Sequence, residues 1–171
     1  MEEAVKIVAG LMALSAKTAP KGLGKDYVDI KIVLGEELKK LGETMIEMAK
    51  EREEPGFARD GKNVLDSAGA VLLGLREHPP NGVDCAACGF TCAEMRKRRL
   101  ETDFVGPNCM FRLLDLGIAI GSAVKTASLH NVDNRVMYRV GVAARKSGLM
   151  KSWVVIGIPL SATTKSVYFD R

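Results

Sequence analysis

Aromatic side chains are scarce in this sequence, and histidine is nearly absent. Five Phe, three Tyr, one Trp and two His occur among 171 residues, so a core has to be built from Ala, Val, Ile, Leu and Met. An uninterrupted apolar run of the ~18 residues that a membrane span needs is also lacking. The richest stretch, residues 110–130, is broken by Arg112, Asp115 and Lys125. The sequence therefore predicts an aliphatic interior and no membrane segment.

A strong excess of charge of one sign is missing as well. Lys and Arg number 25 against 21 Asp and Glu, a net charge of +4, which a solubilising surface explains without a nucleic-acid partner. The one basic block, residues 96–99, is interpreted as a solvated helix face in preference to a phosphate-binding patch. Met1-Glu2-Glu3 is acidic where a secretory signal is basic, so we expect a cytoplasmic protein with reduced thiols.

The periodicity of apolar residues and the Gly and Pro breakers indicate an α+β fold. The length suits a single domain over 1–171, with residues 84–109 as a cysteine-rich insertion that binds a cluster. We expect a small mixed sheet covered by helices. The predicted elements are helices over 2–16, 36–52, 110–130 and 134–146, strands over 28–34, 69–75 and 152–158 (the last ended by Pro159), and a charged loop over 51–62.

The cysteines carry the most specific signal. All four, Cys85, Cys88, Cys92 and Cys109, lie within 25 positions at the spacing C-x2-C-x3-C-x16-C. Short loops let thiolates converge on one soft metal centre, which favours an iron–sulfur cluster. A structural zinc site stays open as an alternative, although it usually presents two C-x2-C pairs. Redox-sensing thiols also stay open, whereas two disulfides suit a secreted mini-protein.

The segments Cys85-Ala-Ala-Cys88-Gly-Phe-Thr-Cys92 and Gly106-Pro-Asn-Cys109 resemble the [4Fe–4S] module of Rnf-complex B subunits. Nearly the whole chain resembles a family of prokaryotic proteins containing a ferredoxin domain. The residues that carry this second resemblance are the cysteine module, 115–121, 130–135, 157–161 and the terminal 169–171. The first resemblance implies a [4Fe–4S] cluster on the four cysteines; the second implies no particular reaction.

The fold resembles the nitroreductase superfamily at three places: the turn Thr18–Gly22, the long small-residue helix and the late strand Val155–Pro159. This likeness implies a homodimer with FMN at the subunit interface. The family's arginine and asparagine are absent, and Gly24, Lys25 and Asp26 stand where its asparagine region would be. A flavin phosphate would then be held by Lys17, Lys21 and Lys25, which surround the turn Pro20–Lys25, here called the glycine turn. Lysines that solvate a loop are the alternative.

The remaining polar residues are given structural interpretations. His78 is expected in a surface loop, with a hydrogen bond near the cluster as its functional alternative. His130 is expected to cap the long helix, and Asp133 or Asn134 to begin the next one. Arg135 and the terminal Asp170-Arg171 are assigned to an ion pair at an interface.

The sequence thus predicts an iron–sulfur redox protein that transfers electrons, with FMN as a second cofactor if the fold likeness extends to function. If it is an enzyme, it is an oxidoreductase of nitroreductase type, and no catalytic residue is predicted because no Ser-His-Asp order, Walker loop or dinucleotide glycine motif is present. The alternative function is a zinc- or thiol-based structural or sensory module without turnover. We expect a homodimer that packs through the helix over 110–130, an unidentified electron donor or acceptor, and neither nucleic acid nor membrane.

Overall fold

A computed structural model of the chain describes residues 1–169. The helices are α1 (Glu2–Thr18), α2 (Gly35–Arg52), α3 (Pro55–Leu65), α4 (Cys92–Met95), α5 (Met110–Leu129) and α6 (Tyr138–Lys146). The strands are β1 (Val28–Val33), β2 (Gly69–Leu75), β3 (Leu100–Glu101), β4 (Val105–Gly106), β5 (Asp133–Asn134) and β6 (Val154–Ser161). A short 3-10 turn, Gly22–Gly24, lies between α1 and β1.

The main sheet has four strands in the order β1-β2-β6-β5. Ile30 pairs with Leu73, Leu73 pairs with Ile156, and the short β5 pairs Asp133 with Ser161. Every pairing of this sheet in the described residues is antiparallel, so the sheet is small as predicted but is not mixed. β3 and β4 form a separate two-stranded ribbon.

Helices cover both faces of the sheet. On one face α1 and α5 pack over Val71, Leu73 and Leu75 of β2, and on the other α2, α3 and α6 pack over Ala70 and Leu72. Because alternate residues of a strand point to opposite faces, a strand buried on both sides has no polar position. β2 accordingly reads Gly-Ala-Val-Leu-Leu-Gly-Leu, and all seven residues are buried.

The charged loop expected over 51–62 is wrong, because most of it is helix α3. Its proline occupies the first turn, where a missing N–H costs nothing, and Phe57, Gly61 and Val64 form a buried stripe at helical spacing. Gly61 makes the close contact with α2: a Cβ there would lie 2.9 Å from the Cβ of Met45 and 3.0 Å from the carbonyl oxygen of Gly42. The charges masked this stripe in the sequence.

The helix expected over 134–146 begins only at Tyr138, so neither Asp133 nor Asn134 is its N-cap. Both residues form β5 at the edge of the sheet instead. Pro159 does not end the last strand, which continues to Ser161. At Pro159 the strand has no β5 partner, since β5 reaches only Leu160 and Ser161, and a proline is tolerated where one edge of a strand is unpaired.

The remaining predicted elements agree with the structure to within a few residues at their ends. α5 is the longest helix described, with 20 residues, and His130 follows it as the C-cap residue. No helix in the described part of the chain combines the length and the apolar content needed to cross a membrane. The ion pair expected to involve Asp170 and Arg171 falls outside the described residues.

Candidate cofactor centre at the cysteine segment

Residues 84–109, here called the cysteine segment, connect the loop that follows β2 to the first residue of α5. Cys109 is buried and is the N-cap residue of α5, Cys88 and Cys92 are partly exposed, and Cys85 is exposed. All four thiols are free. The segment therefore presents one thiol anchored in the protein body and three on a surface loop.

The loop from Cys85 to Cys92 is compact because its backbone turns sharply. Asp84, Ala86 and Gly89 all have positive φ values, of 51°, 55° and 85°. The backbone N–H of Gly89 donates to the carbonyl oxygen of Ala86 at 2.8 Å, and the carboxylate of Asp84 accepts a hydrogen bond from the N–H of Cys92 at 2.7 Å. These bonds hold the backbone from Cys85 to Cys92 in a compact turn.

The N-terminal turn of α4 fixes the far side of this loop. Thr91 and Glu94 form a capping box, in which each side chain hydrogen-bonds to the other residue's backbone N–H. The hydrogen bonds from Thr91 lower the pKa of Glu94, so the carboxylate stays ionised at neutral pH. Cys92 is therefore held at the start of a helix turn, even though that turn has only four residues.

Cys109 is fixed by the loop that follows β2. The backbone N–H of Asn81 donates to the Cys109 Sγ atom at 3.4 Å, and the N–H of Cys109 donates to His78 Nε2 at 3.2 Å. His78 Nδ1 lies 2.9 Å from the carbonyl oxygen of Arg76. These two bonds assign the proton to Nδ1, because Nε2 acts as the acceptor.

His78 is buried, so its expected place in a surface loop is wrong. Its ring lies between Tyr27 and Trp153, with ring centroids at 6.2 and 5.8 Å. Burial lowers the pKa of His78, which keeps the imidazole neutral and able to accept the Cys109 N–H. The side chain thus positions Cys109 through the backbone.

The four thiols are not gathered around one point. Within residues 1–169, no three His, Cys, Asp or Glu side chains are arranged to hold a metal ion. The donor set suits a soft metal, since it consists of thiols alone. For all four to meet one centre, the Cys85–Cys92 loop has to close toward Cys109, which the body holds in place.

A buried ion pair, Arg112 with Asp115, lies in the first turns of α5. Arg112 is 1% exposed and its Nη1 donates to Asp115 Oδ2 at 3.0 Å. The same guanidinium donates to the carbonyl oxygen of Gly22 at 2.9 Å and to Asn81 Oδ1 at 3.3 Å. Asp115 Oδ1 in turn accepts from the N–H of Gly22 at 2.7 Å. The pair therefore joins the glycine turn to the loop that carries Asn81.

Sequence reasoning did not assign these two residues a role. The signal was present, since Arg112 and Asp115 are opposite charges three positions apart inside the most apolar stretch of the chain. A pair at that spacing lies on one face of a helix. Charged residues that remain buried are normally paired, so the interruption itself indicated an internal contact.

The three lysines predicted to hold a phosphate lie around the glycine turn but differ in their contacts. Lys21 Nζ donates to three carbonyl oxygens at the end of α1, at 2.9–3.0 Å. Lys17 forms a salt bridge with Asp26 at 2.6 Å. Burial acts to raise the pKa of Asp26, but the hydrogen bonds from Lys17 and the Val28 N–H outweigh it, and the pKa is lowered. Lys25 is exposed.

A second set of contacts ties the cysteine segment to the helices on the other face of the sheet. Asp103 accepts hydrogen bonds from Arg52 of α2 at 2.6 Å and from the hydroxyl of Tyr138 of α6. Arg145 donates to the carbonyl oxygen of Asp103 at 2.5 Å. The hydrogen bond from Arg52 lowers the pKa of Asp103, and burial with the bond to Asp103 raises the pKa of Tyr138 to about 12.

Solved structures that resemble this fold are nitroreductases and their relatives. A nitroreductase-like family protein from Bacillus cereus superposes with a TM-score of 0.60 at 13% identity, over 94% of this chain and 76% of that protein. NfrA1 from B. megaterium gives 0.56 at 14% identity, over 94% and 61%. An FMN- and NADPH-dependent nitroreductase, NfnB from Sphigopyxis sp. strain HMH, gives 0.57 at 13%, over 93% and 78%. These likenesses show that the fold is nitroreductase-like, as the sequence predicted.

Sequence comparison gives the family. Residues 105–171 match the family model described as "Uncharacterized protein containing a ferredoxin domain (DUF2148)". A protein of Archaeoglobus fulgidus, described as an uncharacterized protein, is 50% identical over 171 residues, which cover 99% of this chain and 92% of that protein. A relative this similar along its whole length shares the fold and the family, and the chain belongs to the family of uncharacterized proteins containing a ferredoxin domain.

Proposed function

We propose that the protein is an iron–sulfur electron-transfer protein whose cluster is held by Cys85, Cys88, Cys92 and Cys109. The observation that carries the proposal is the placement of every cysteine of the chain in one segment, with Cys109 fixed in the body by Asn81 and His78. The family's ferredoxin domain supports the same class of chemistry. When bound, such a cluster exchanges one electron at a time.

The residues around Cys109 have distinct roles in this proposal. The Asn81 N–H donates to the Cys109 Sγ atom, and a hydrogen bond to a ligating sulfur stabilises its negative charge and raises the reduction potential of the centre. His78 holds the Cys109 backbone from the other side. Arg112 of α5 donates a hydrogen bond to the Asn81 side chain. This bond fixes the loop that carries Asn81 to the body of the protein.

Anaerobic purification with metal and sulfide analysis tests the cluster. We expect a brown protein with about four iron and four sulfide per chain, if the cluster is cuboidal, and a visible spectrum that bleaches on reduction. The Cys88→Ser variant should lose most of the iron, whereas Ala87→Ser, which introduces the same side chain at the exposed neighbouring position, should retain it. One zinc per chain without iron would refute the proposal in favour of a structural or sensory zinc module.

A flavin near the glycine turn is the second part of the proposal. The buried Arg112 and Asp115 connect that turn to the Asn81 loop, so a group bound at the turn lies on the same rigid network as Cys109. Lys25 is the exposed lysine there, while Lys17 reaches a phosphate only by leaving Asp26, and Lys21 only by leaving the end of α1. A bound flavin would supply two-electron chemistry beside a one-electron centre.

Titration with FMN, followed by quenching of flavin fluorescence, tests this part. We expect saturable binding that weakens roughly tenfold in Lys25→Gln, the loss typical of one charged hydrogen bond. Lys40→Gln, an exposed lysine on α2, serves as the matched control and should bind as the parent protein does. Binding that is unchanged in Lys25→Gln would place any flavin elsewhere.

We also propose that the protein is a homodimer formed through α1 and α5. These two helices pack side by side, yet they expose Ile7, Leu14, Leu114 and Ile118, each between 44% and 65% accessible. Gly117 and Gly121 of α5 have open space where a Cβ would be, so another backbone can approach this face closely. An apolar face of this kind is typical of an interface.

Light scattering at micromolar concentration tests the assembly. Ile118→Glu should convert a dimer to a monomer, because it places a charge in the centre of the apolar face. Val136→Glu, which alters an apolar residue of similar exposure outside both helices, should leave the dimer intact. A parent protein that is monomeric under these conditions would refute the proposal.

A further inference from the structure

A cleft of about 810 Å³ opens between the cysteine segment and the body of the protein. This volume is in the range of sites that hold organic ligands. Most of its lining residues belong to the cysteine segment, and Leu113 of α5 and Val154 of β6 complete the lining. None of the three lysines of the glycine turn lines it, so the cleft is separate from the flavin position proposed above.

The rim of the cleft is basic and its walls are apolar. Lys97, Arg98 and Arg99 line the cleft, and so do the aromatic residues Phe90 and Phe104. The guanidinium of Arg98 lies 4.7 Å from the centroid of the Phe90 ring. Arg99 is paired with Glu101 at 3.3 Å, whereas neither Lys97 nor Arg98 takes part in a salt bridge of residues 1–169. The basic block, interpreted from the sequence as a solvated helix face in preference to a phosphate-binding patch, lies just after α4 and borders this cavity.

One buried polar atom of a residue that lines the cleft lacks a hydrogen-bond partner among the described residues. Asn108, which lines the cleft, donates from Nδ2 to the carbonyl oxygen of Val105 at 2.7 Å. This bond fixes the orientation of the amide, so Oδ1 is the remaining acceptor. Asn108 Oδ1 is buried and accepts no hydrogen bond from the described residues. Buried acceptors are rarely left unpaired, and an N–H group of a ligand would satisfy this one.

We propose that this cleft binds a nucleotide. A planar base fits between Phe90, Phe104 and Leu113 and donates an N–H to Asn108 Oδ1. Its phosphate meets Lys97 and Arg98 at the rim, where charged hydrogen bonds to a phosphate are stronger than neutral ones. Because Asn108 immediately precedes Cys109, the site brings a nucleotide beside the cysteine that anchors α5. The proposal does not require iron at the cysteines.

Calorimetric titration of the full-length holoprotein with ADP and, separately, FMN tests the site. Both carry a ring with an N–H donor and a phosphate, and comparing them identifies which base the walls accept. We expect saturable binding of at least one of them, weakened roughly tenfold in Lys97→Gln and in Arg98→Gln. Adenosine and inorganic phosphate, which each carry half of the proposed contacts, should both bind more than tenfold more weakly than the nucleotide.

The single tryptophan reports the location of binding. Trp153 lies beside Val154 and stacks with Arg99 at 5.7 Å, so a nucleotide in the cleft should change its fluorescence. Lys40→Gln, at an exposed lysine of α2, is the charge-matched control and should retain the parent affinity. Thermal unfolding of each variant separates weakened binding from misfolding.

The outcomes separate the proposals. No saturation by ADP or FMN at millimolar concentration overturns the nucleotide site, and so does binding that Lys97→Gln and Arg98→Gln leave unchanged. Loss of FMN binding in Lys25→Gln but not in Arg98→Gln places the flavin at the glycine turn and also overturns the cleft as its site. The iron and sulfide content stays independent of every one of these results.

Discussion

The body of the protein and the cysteine segment are held together by different kinds of contact. In the body, a central strand such as β2 has all seven residues buried, and helices cover both of its faces. In the cysteine segment, only Met95, Val105 and Cys109 are buried among residues 84–109.

The segment is attached at a few points instead. Its attachments include the Asp103 contacts with α2 and α6, a hydrogen bond from the Val105 N–H to the Trp153 carbonyl oxygen, and the bonds around Cys109. A region that buries little apolar surface gains little stability of its own. The body is therefore stabilised by burial of apolar side chains, whereas the order of the segment depends on these few contacts.

The largest expected effect on stability comes from adding one methyl group to a glycine of the body, and the same change in the cysteine segment serves as its comparison. A Cβ on Gly141 of α6 would lie 1.7 Å from the carbonyl oxygen of Val155, and because that atom is backbone, α6 has to move off β6. We expect Gly141→Ala to lower the free energy of unfolding by about 3 kcal/mol or more. Chemical denaturation measures it, and an unchanged midpoint would contradict the close contact between α6 and β6.

The matched change in the cysteine segment should cost less. A Cβ on Gly89 meets nothing within 4 Å, but the residue has a φ of 85°. Gly89→Ala should therefore cost about 1 kcal/mol from backbone strain alone. A loss as large as that of Gly141→Ala would show that the segment is packed as tightly as the body.

Breaking the Asp103 contacts should detach the segment at one end. The pKa of Asp103 is lowered in the folded protein, so the carboxylate contributes stability above its unfolded pKa, and that contribution is lost as the pH falls through the folded value. Asp103→Asn should cost about 1 kcal/mol at pH 7, discounted for the partial exposure of the pair. The difference between the variant and the parent should vanish in acid below the folded pKa.

Unfolding curves of Asp103→Asn and the parent protein between pH 2 and pH 7 measure this dependence. Glu43→Gln, at an exposed i,i+4 pair with Lys39 on α2, is the control and should change stability by less than about 0.5 kcal/mol. A deficit for Asp103→Asn that persists undiminished in acid would show that the carboxylate charge is not what holds the segment.

The smallest expected effect on the body follows removal of the cluster that we propose for the cysteines. With the cluster extracted anaerobically, the sheet and its covering helices keep their packing, so we expect the stability of the body to change by less than about 1 kcal/mol. The cysteine segment should become accessible to trypsin at residues 96–99, all four of which are basic and exposed. Limited proteolysis with mass spectrometry locates the cut.

The control for metal removal is the cluster-loaded protein treated with the same protease. It should resist cleavage at Arg96–Arg99 for longer, because closing the Cys85–Cys92 loop restrains the residues that follow. Equal cleavage rates with and without metal would mean that the cysteines do not order the segment. Global unfolding on metal removal would mean that body and segment form one cooperative unit.

Much of the body could be read from the sequence, because its periodicities are strong. The strand expected over 69–75 is present because burial on both faces requires apolar residues at every position. The helix expected over 110–130 is also present, because close approach to another element requires small residues. α3 was missed because its apolar stripe contains only three residues and charged residues stand between them, including the buried Asp60, which pairs with Arg59 and Arg139. The strand β5 was missed because two residues carry no periodicity of their own.

The sequence by itself determined the spacing of the four cysteines, because that spacing is a local property of the chain. Only the tertiary structure decided which other residues surround them. It brought His78 against the backbone of Cys109, joined Arg112 to the glycine turn, and placed Asn108 in a cleft below a basic rim. Such contacts link residues far apart in sequence, and they form only when packing brings the separate elements together, so no local pattern encodes them.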